Sequence, residues 1–278
     1  MSVRFELMGI VNVTPDSFSD GGRYLDVGAA IAHGLELEAE GADILDIGGE
    51  STRPGAAAVP KEEELRRVIP VLEGLRERGA RARLSIDTSK AAVARAAVQA
   101  GATLVNDVTA LRGDPAMAEV VAASGARCCL MHMLGTPRTM QEDPRYGDVV
   151  DDVRAFLEER LAFAVAAGVR EDRIVLDPGI GFGKTAEHNL ELLRRLDELV
   201  AIGPPVLVGT SRKSFLGRIT GREVDERLPA TIASNVLAFA RGARLFRVHE
   251  VAPVADALAV AAATVTAPWT TTPRSSTR

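Results

Sequence analysis

The feature that most restricts what this chain can fold into is an alternation of short apolar runs suited to strands with amphipathic or Ala-rich segments suited to helices. The runs lie at 6–11, 44–47, 83–86, 104–105, 127–131, 174–176, 206–208 and 245–248. Strand and helix repeated eight times over 5–263 match a closed parallel barrel, which needs about 250 residues. The expected fold is therefore α/β, a single (β/α)8 TIM barrel, with an open doubly wound sheet as the competing architecture. No linker rich in Pro, Gly or Ser divides the chain, so one domain is expected over 1–265. The composition turns to Thr, Pro, Ser and Arg from Thr264 around Trp269, and 266–278 is expected to be a disordered tail.

Local signals agree with this alternation. Thr88 or Ser89 should start a helix over 91–99, and Asp114 with Pro115 another over 116–123. Gly41, Gly79, Gly101, Gly125, Gly168 and Gly242 each stand where a helix should stop. Val150, Val153, Phe156 or Leu157, and Leu161 are spaced as one helix face. Cys128 and Cys129 are adjacent in a strand, so they should point to opposite faces and remain reduced thiols. The N-terminus has no basic flank before a long apolar segment, and no apolar run is of membrane-spanning type, which predicts a soluble, cytoplasmic protein. A net charge of −5 with scattered acidic residues argues against a nucleic-acid partner.

Function is carried by the polar residues at the strand ends. Only four lysines (61, 90, 184, 213) and four asparagines (12, 106, 189, 235) occur, so their positions are informative. Asn12, Asp46, Asp87, Asn106, His132, Asp177, Lys213, Arg247 and His249 all fall at strand ends, which a barrel gathers on one rim, where such enzymes keep their active sites. Asp87, Asn106 and Asp177 offer donors and acceptors suited to a heterocycle with amide and amino edges. Arg53, Lys213, Arg247 and His249 form a cationic group suited to phosphate or carboxylate. Two loops, 14–22 with Asp16 and Phe18 and 51–56 with Arg53, are expected to act as lids. Residues 177–185 resemble a phosphate loop but carry Pro178 in place of its first glycine, so they read as a glycine-rich turn bringing Phe182 to a ligand. No zinc motif or serine elbow is present. His33 and His188 read as helix-surface or turn residues, Lys184 as closing the glycine-rich turn, and Lys61 and Lys90 as helix or surface residues.

Eight blocks in order, 8–22, 46–55, 85–88, 106–108, 130–133, 177–184, 211–215 and 247–249, resemble the dihydropteroate synthases, a pterin-binding TIM-barrel family. The resemblance implies a transferase of folate synthesis that condenses 7,8-dihydropterin-6-ylmethyl diphosphate with p-aminobenzoate, releasing pyrophosphate by SN1-like substitution. It implies catalytic roles for Asp87, Asp177, Lys213 and Arg247. Asp87, Asn106, Asp177 and Lys213 would hold the pterin edge, with Met131, Phe182 and Arg247 on its faces. Asn12 would take Mg2+, while Arg247 and His249 would bind the diphosphate. Asp16, Phe18, Thr52, Arg53, Pro54, Lys213 and Ser214 would form the aminobenzoate pocket and its lids. The family also implies a homodimer and inhibition by sulfonamides. Glu250 departs from the Asp usual after Arg-Val-His, keeping the charge. Two alternatives share the pterin edge: a methyltetrahydrofolate-corrinoid methyltransferase, which would not need Phe18, Arg53 or Lys213, and a non-catalytic pterin-binding paralogue.

Overall fold

A computed structural model describes residues 4–14, 26–52 and 55–266. Among these residues eight parallel strands form one sheet: β1 (Glu6–Asn12), β2 (Ile44–Gly48), β3 (Arg83–Asp87), β4 (Leu104–Asp107), β5 (Arg127–Met131), β6 (Ile174–Asp177), β7 (Leu207–Val208) and β8 (Leu245–Val248). Their spatial order is β6-β5-β4-β3-β2-β1-β8-β7, and a parallel bridge from Leu176 to Val206 joins the two ends into a barrel. The helices are α1 (Val27–Ala39), α2 (Lys61–Glu77), α3 (Ala91–Gln99), α4 (Met117–Ser124), α5 (Val149–Ala166), α6 (Ala186–Arg194), α7 (Leu196–Val200), α8 (Ser214–Thr220), α9 (Leu228–Ala240) and α10 (Val251–Thr266).

The expected fold is the observed one, with small differences at element ends. Several strands run further than their apolar residues, so Asn12, Asp87, Asn106, Asp107 and Asp177 lie on the strands themselves, held by the ladder. Lys90, not Thr88 or Ser89, occupies the N-cap of α3, and the first free amide, of Ala91, donates to Asp114 Oδ2 at 2.9 Å from the next loop. The other Asp114 oxygen accepts from Ala116 N at 3.0 Å, and α4 begins only at Met117. The six stop glycines all have positive φ, between 67° at Gly125 and 111° at Gly101. Helix α10 continues through Thr264, whose hydroxyl donates to the Val260 carbonyl at 2.8 Å, so the composition change at Thr264 does not end the helix. The rest of the expected tail, 267–278, lies outside the described residues.

Strand alternation sorts the barrel interior into layers. Glu6 pairs with Arg83 at 2.8 Å and Arg127 at 2.9 Å. Burial works against its charge, but the two guanidiniums hold the Glu6 carboxyl below the usual range. Two residues further along come Met8, Ile44, Leu104, Cys129, Val175, Leu207 and Leu245, an apolar plug. Cys128 packs instead in the larger core between strands and helices, so the adjacent thiols do face opposite ways, and both are free. The next residues on β2, β3, β4, β6 and β8 are Asp46, Asp87, Asn106, Asp177 and Arg247, preceded on β3 by Ser85. The polar groups thus rest on a packed apolar floor.

Candidate active site

Asp46 is the hub of the polar layer and is fully buried. Its Oδ1 accepts from Ser85 Oγ at 2.6 Å, and its Oδ2 accepts from Asn106 Nδ2 at 2.9 Å and Arg247 Nε at 2.7 Å. Arg247 Nη2 also donates to Asp87 Oδ2 at 2.9 Å. Four strands are tied together by these bonds, and Asn106, Asp87 and Arg247 are oriented before any ligand arrives. The sequence pointed to Asp46 only as a rim position and gave Ser85 no role. A carboxylate in the wholly buried run of β2, two residues beyond inward-facing Ile44, was the available signal.

The buried charges perturb one another. Burial pushes Asp87 up to about 7 against the pull of Arg247, with Asp46, Glu64 and Asp107 raising it further. Burial also raises Asp177, opposed by Lys213 and by the Gly179 amide, which donates to Asp177 Oδ1 at 2.7 Å. Lys213 falls to about 8 because burial outweighs the attraction of Asp177, and Arg247 adds repulsion. Arg247 is the opposite case: burial disfavours its charge, but Asp46 and Asp87 raise its pKa overall. Among the described residues, three carboxyls therefore face two cations in a desolvated mouth, as expected of a site built for chemistry.

The walls come from β5 and the turn after β6. Met131 is buried with Val108, Met133 and Met140, and Phe182 packs on that cluster. Lys213 Nζ sits 4.6 Å from the Phe182 ring centroid and donates to the Ile180 carbonyl. The turn depends on Gly179, whose φ is 66°; a Cβ there would meet the His132 carbonyl oxygen at 1.8 Å. Lys184 closes the turn, as expected, but from inside the protein: buried, it donates to the Phe182 carbonyl at 3.0 Å and lies 2.9 Å from His132 Nδ1. Burial, with Lys184 and Arg112 nearby, lowers the His132 pKa to about 2, so the ring is neutral. His132 does not join the rim. It stacks edge-on against Phe156 of α5 at 4.8 Å, because the preceding residue, Met131, takes the inward position. His188 has a specific role as well, since its Nδ1 accepts from Thr185 N at 3.2 Å in the capping box of α6.

The remaining predicted residues divide in two. Asn12 ends β1 opposite Gly48, and a Cβ at Gly48 would lie 3.8 Å from Asn12 Oδ1 and 3.7 Å from Asp87 Oδ2. Glycine here leaves space between an amide oxygen and a carboxylate, while no group of three His, Cys, Asp or Glu that could hold a metal occurs among the described residues. This donor set fits a hard cation held mainly by phosphate oxygens and water. His249 Nδ1 lies 2.9 Å from Ser211 Oγ, which also accepts from the His249 amide at 3.2 Å. Ser214 is the exposed first residue of α8, next to Lys213, and Thr52 is half-buried after β2. Asp16, Phe18, Arg53 and Pro54 lie outside the described residues. Lys90, expected on a helix surface, instead donates to both Glu50 and Glu64 beneath the loop after β2.

Comparison with known proteins identifies the family. The family described as pterin binding enzyme matches residues 8–249. The dihydropteroate synthase of Mycobacterium leprae is 50% identical over 265 residues, covering 93% of each chain. A Xanthomonas albilineans dihydropteroate synthase solved with 4-aminobenzoic acid superposes with a TM-score of 0.90 at 53% identity, covering 95% of this chain and 94% of that one. A Yersinia pestis dihydropteroate synthase in complex with a sulfonamide drug also gives 0.90, at 45% identity and 95% coverage of both. With the match spanning the barrel from β1 to the end of β8, the chain belongs to the pterin binding enzyme family.

Proposed function

We propose that this protein is a transferase that forms 7,8-dihydropteroate from 7,8-dihydropterin-6-ylmethyl diphosphate and p-aminobenzoate. The observation that carries this reading is the layer of Asp87, Asn106 and Arg247 pre-oriented on the buried Asp46, with Asp177 held beside it by the Gly179 amide. Such a layer pairs with the ring N–H groups and amide of a pterin, while Met131 and Phe182 supply an apolar wall beside it. A buried polar layer is costly unless it is paired, which suits a ligand with a matching edge.

The chemistry follows from the charges. The methylene C–O bond breaks, its electron pair leaves on the pyrophosphate oxygen, and the resulting cation is conjugated with the pterin ring. Asp87 and Asp177, driven to their ionised forms by the ligand's N–H donors, stabilise that developing positive charge. The aniline nitrogen lone pair then forms the C–N bond, and the proton it sheds goes to solvent. Arg247 and His249 draw the diphosphate to one side of the mouth, and Asn12 would hold Mg2+ there. When bound, Mg2+ neutralises the charge accumulating on the leaving group. Thr52, Arg53, Pro54, Phe18, Asp16 and Ser214 would form the aminobenzoate pocket. Closure of the two loops would keep water from the cation.

Pyrophosphate release tests this reading against its two rivals. Folded protein given the diphosphate, Mg2+ and p-aminobenzoate should release pyrophosphate, and absence of release contradicts the proposal. Arg53→Ala should raise the aminobenzoate KM at least about tenfold. The same variant should leave pterin diphosphate affinity unchanged, and equal loss of both would remove Arg53 from the aminobenzoate pocket. Sulfonamides, as aminobenzoate mimics, should compete with that substrate.

Asp87 also sets a pH dependence. An ordinary aspartate titrates near about 4, so between that value and about 7 the folded, ligand-free protein holds a proton that the unfolded chain has lost. Asp87 therefore diminishes stability as pH rises through this window. Ligand N–H donors favour the ionised carboxylate, so affinity for 6-hydroxymethyl-7,8-dihydropterin, which has no phosphate to titrate, should rise from pH 5.5 towards about 7 and then level off. Fluorescence titration across that range checks it, and a flat profile would exclude Asp87 as the titrating acceptor.

No helix among the described residues is long and apolar enough to cross a membrane. We place the protein in the cytoplasm, where free buried thiols such as Cys128 and Cys129 persist. A homodimer through α9 and α10 would cover Leu237 and Val260, which are 62% and 69% exposed. Light scattering tests that assembly.

A further inference from the structure

Lys90 is a half-buried lysine that the catalytic reading leaves without a task. It stands three residues beyond Asp87, at the N-cap of α3, and makes no cap bond with its side chain. Its ammonium instead donates to Glu50 Oε2 and Glu64 Oε2, which come from the loop after β2 and from α2. The other Glu50 oxygen accepts from the Val59 amide at 3.0 Å, so a single side chain braces both ends of the 50–59 segment. One residue earlier, the Gly49 carbonyl accepts from Arg67 Nη1 at 2.8 Å, and Gly49 lies so close to α2 that a Cβ would meet Val68 Cγ1 at 2.8 Å. Glu64 is fully buried and its Oε1 has no hydrogen-bond partner among the described residues, where Lys90 is the cation bonded to this carboxylate. Two carboxylates share one ammonium. Although burial works against the lysine's charge, the pair of acceptors raises its pKa, and the ammonium persists at neutral pH.

We propose that Lys90 is a positioning residue for the second substrate: by bridging Glu50 and Glu64 it fixes the root of the loop that carries Thr52, Arg53 and Pro54. The proposal rests on the reading of that loop as the aminobenzoate pocket. Lys90 touches neither substrate and acts through Glu50. A small displacement of the loop root moves the pocket relative to the pterin methylene, and such errors of placement are costly for a two-substrate reaction. Among the described residues this node shares no hydrogen bond with the pterin edge, but Glu64 helps to raise the Asp87 pKa, so pterin-ligand affinity is compared at about pH 8, where Asp87 is largely ionised.

The test compares wild type, Lys90→Met, Lys90→Arg and Glu50→Gln in steady-state kinetics, pterin-ligand affinity and amide hydrogen exchange over 49–60. Lys90→Met should raise the aminobenzoate KM at least about tenfold, with pterin-ligand Kd within about twofold of wild type. Exchange over 49–60 should quicken, and Lys90→Arg should recover most of the KM. If Lys90→Met fails to fold, Glu50→Gln decides: it keeps the Lys90–Glu64 pair and an acceptor for Val59, and should still raise the aminobenzoate KM alone. An unchanged KM, an equal change for both substrates, or unaltered exchange would overturn the proposal. A wild type that releases no pyrophosphate would count against the functional reading instead, and the exchange comparison would still decide whether Lys90 holds the loop.

Discussion

Arg247→Met should reduce kcat/KM for the pterin diphosphate by about a thousandfold or more, the scale seen when a group that stabilises transition-state charge is removed. Among the described residues the guanidinium is the sole cation bonded to the buried Asp46, and it also pairs with Asp87. Its loss leaves two carboxyls in a desolvated mouth without their counter-charge, a situation that costs about 3–5 kcal/mol when one partner of a buried pair is deleted. Stability should therefore fall with activity, and urea midpoints must accompany the kinetics. Arg247→Lys separates the two effects. It keeps a positive charge but cannot bond Asp46 and Asp87 at once with a planar fork, so stability should recover more than activity. Equal recovery of both would mean that Arg247 serves the fold alone.

Asp177→Asn should weaken pterin-ligand affinity by at least about thirtyfold, from roughly 2 kcal/mol or more for a buried acceptor turned partly into a donor. The geometry sharpens the expectation. Asp177 Oδ1 already accepts from Gly179 N, which directs the amide NH2 of the variant into the ligand space, towards ring N–H groups that can only donate. The turn itself should survive, since an asparagine oxygen can take the Gly179 bond. Isothermal titration with 6-hydroxymethyl-7,8-dihydropterin, alongside melting curves, checks both halves. Unchanged affinity would remove Asp177 from the pterin edge.

Legibility in the sequence differs by level. The barrel was legible, because eight apolar runs and six glycine stops report local geometry, and parallel strands buried on both sides cannot avoid being apolar. The rim positions of Asn12, Asp46, Asp87, Asn106, Asp177 and Arg247 were also legible, since strand ends share a face once the barrel closes. The bonds inside the site were not. Arg247 and Asp46 are 201 residues apart, and their contact depends on β1 lying between β2 and β8 with a particular register. His132 shows the same limit: a shift of one residue from Met131 moves a side chain from the mouth to the shell around it. Lys184 and Lys90 looked like surface or turn residues because a sequence shows that a lysine exists, not the carbonyl, imidazole or carboxylate groups that bury it.

Whether the polar layer above the apolar plug reads a pterin edge is tested most directly by a crystal structure with a dihydropterin ligand bound. Ring nitrogens and the amide should lie within hydrogen-bonding distance of Asp87, Asn106 and Asp177, with Met131 and Phe182 against the ring and the methylene carbon turned towards the loop after β2. A ligand held elsewhere on the barrel, or lying in the mouth without touching Asp177 or Asn106, would contradict that role for the layer.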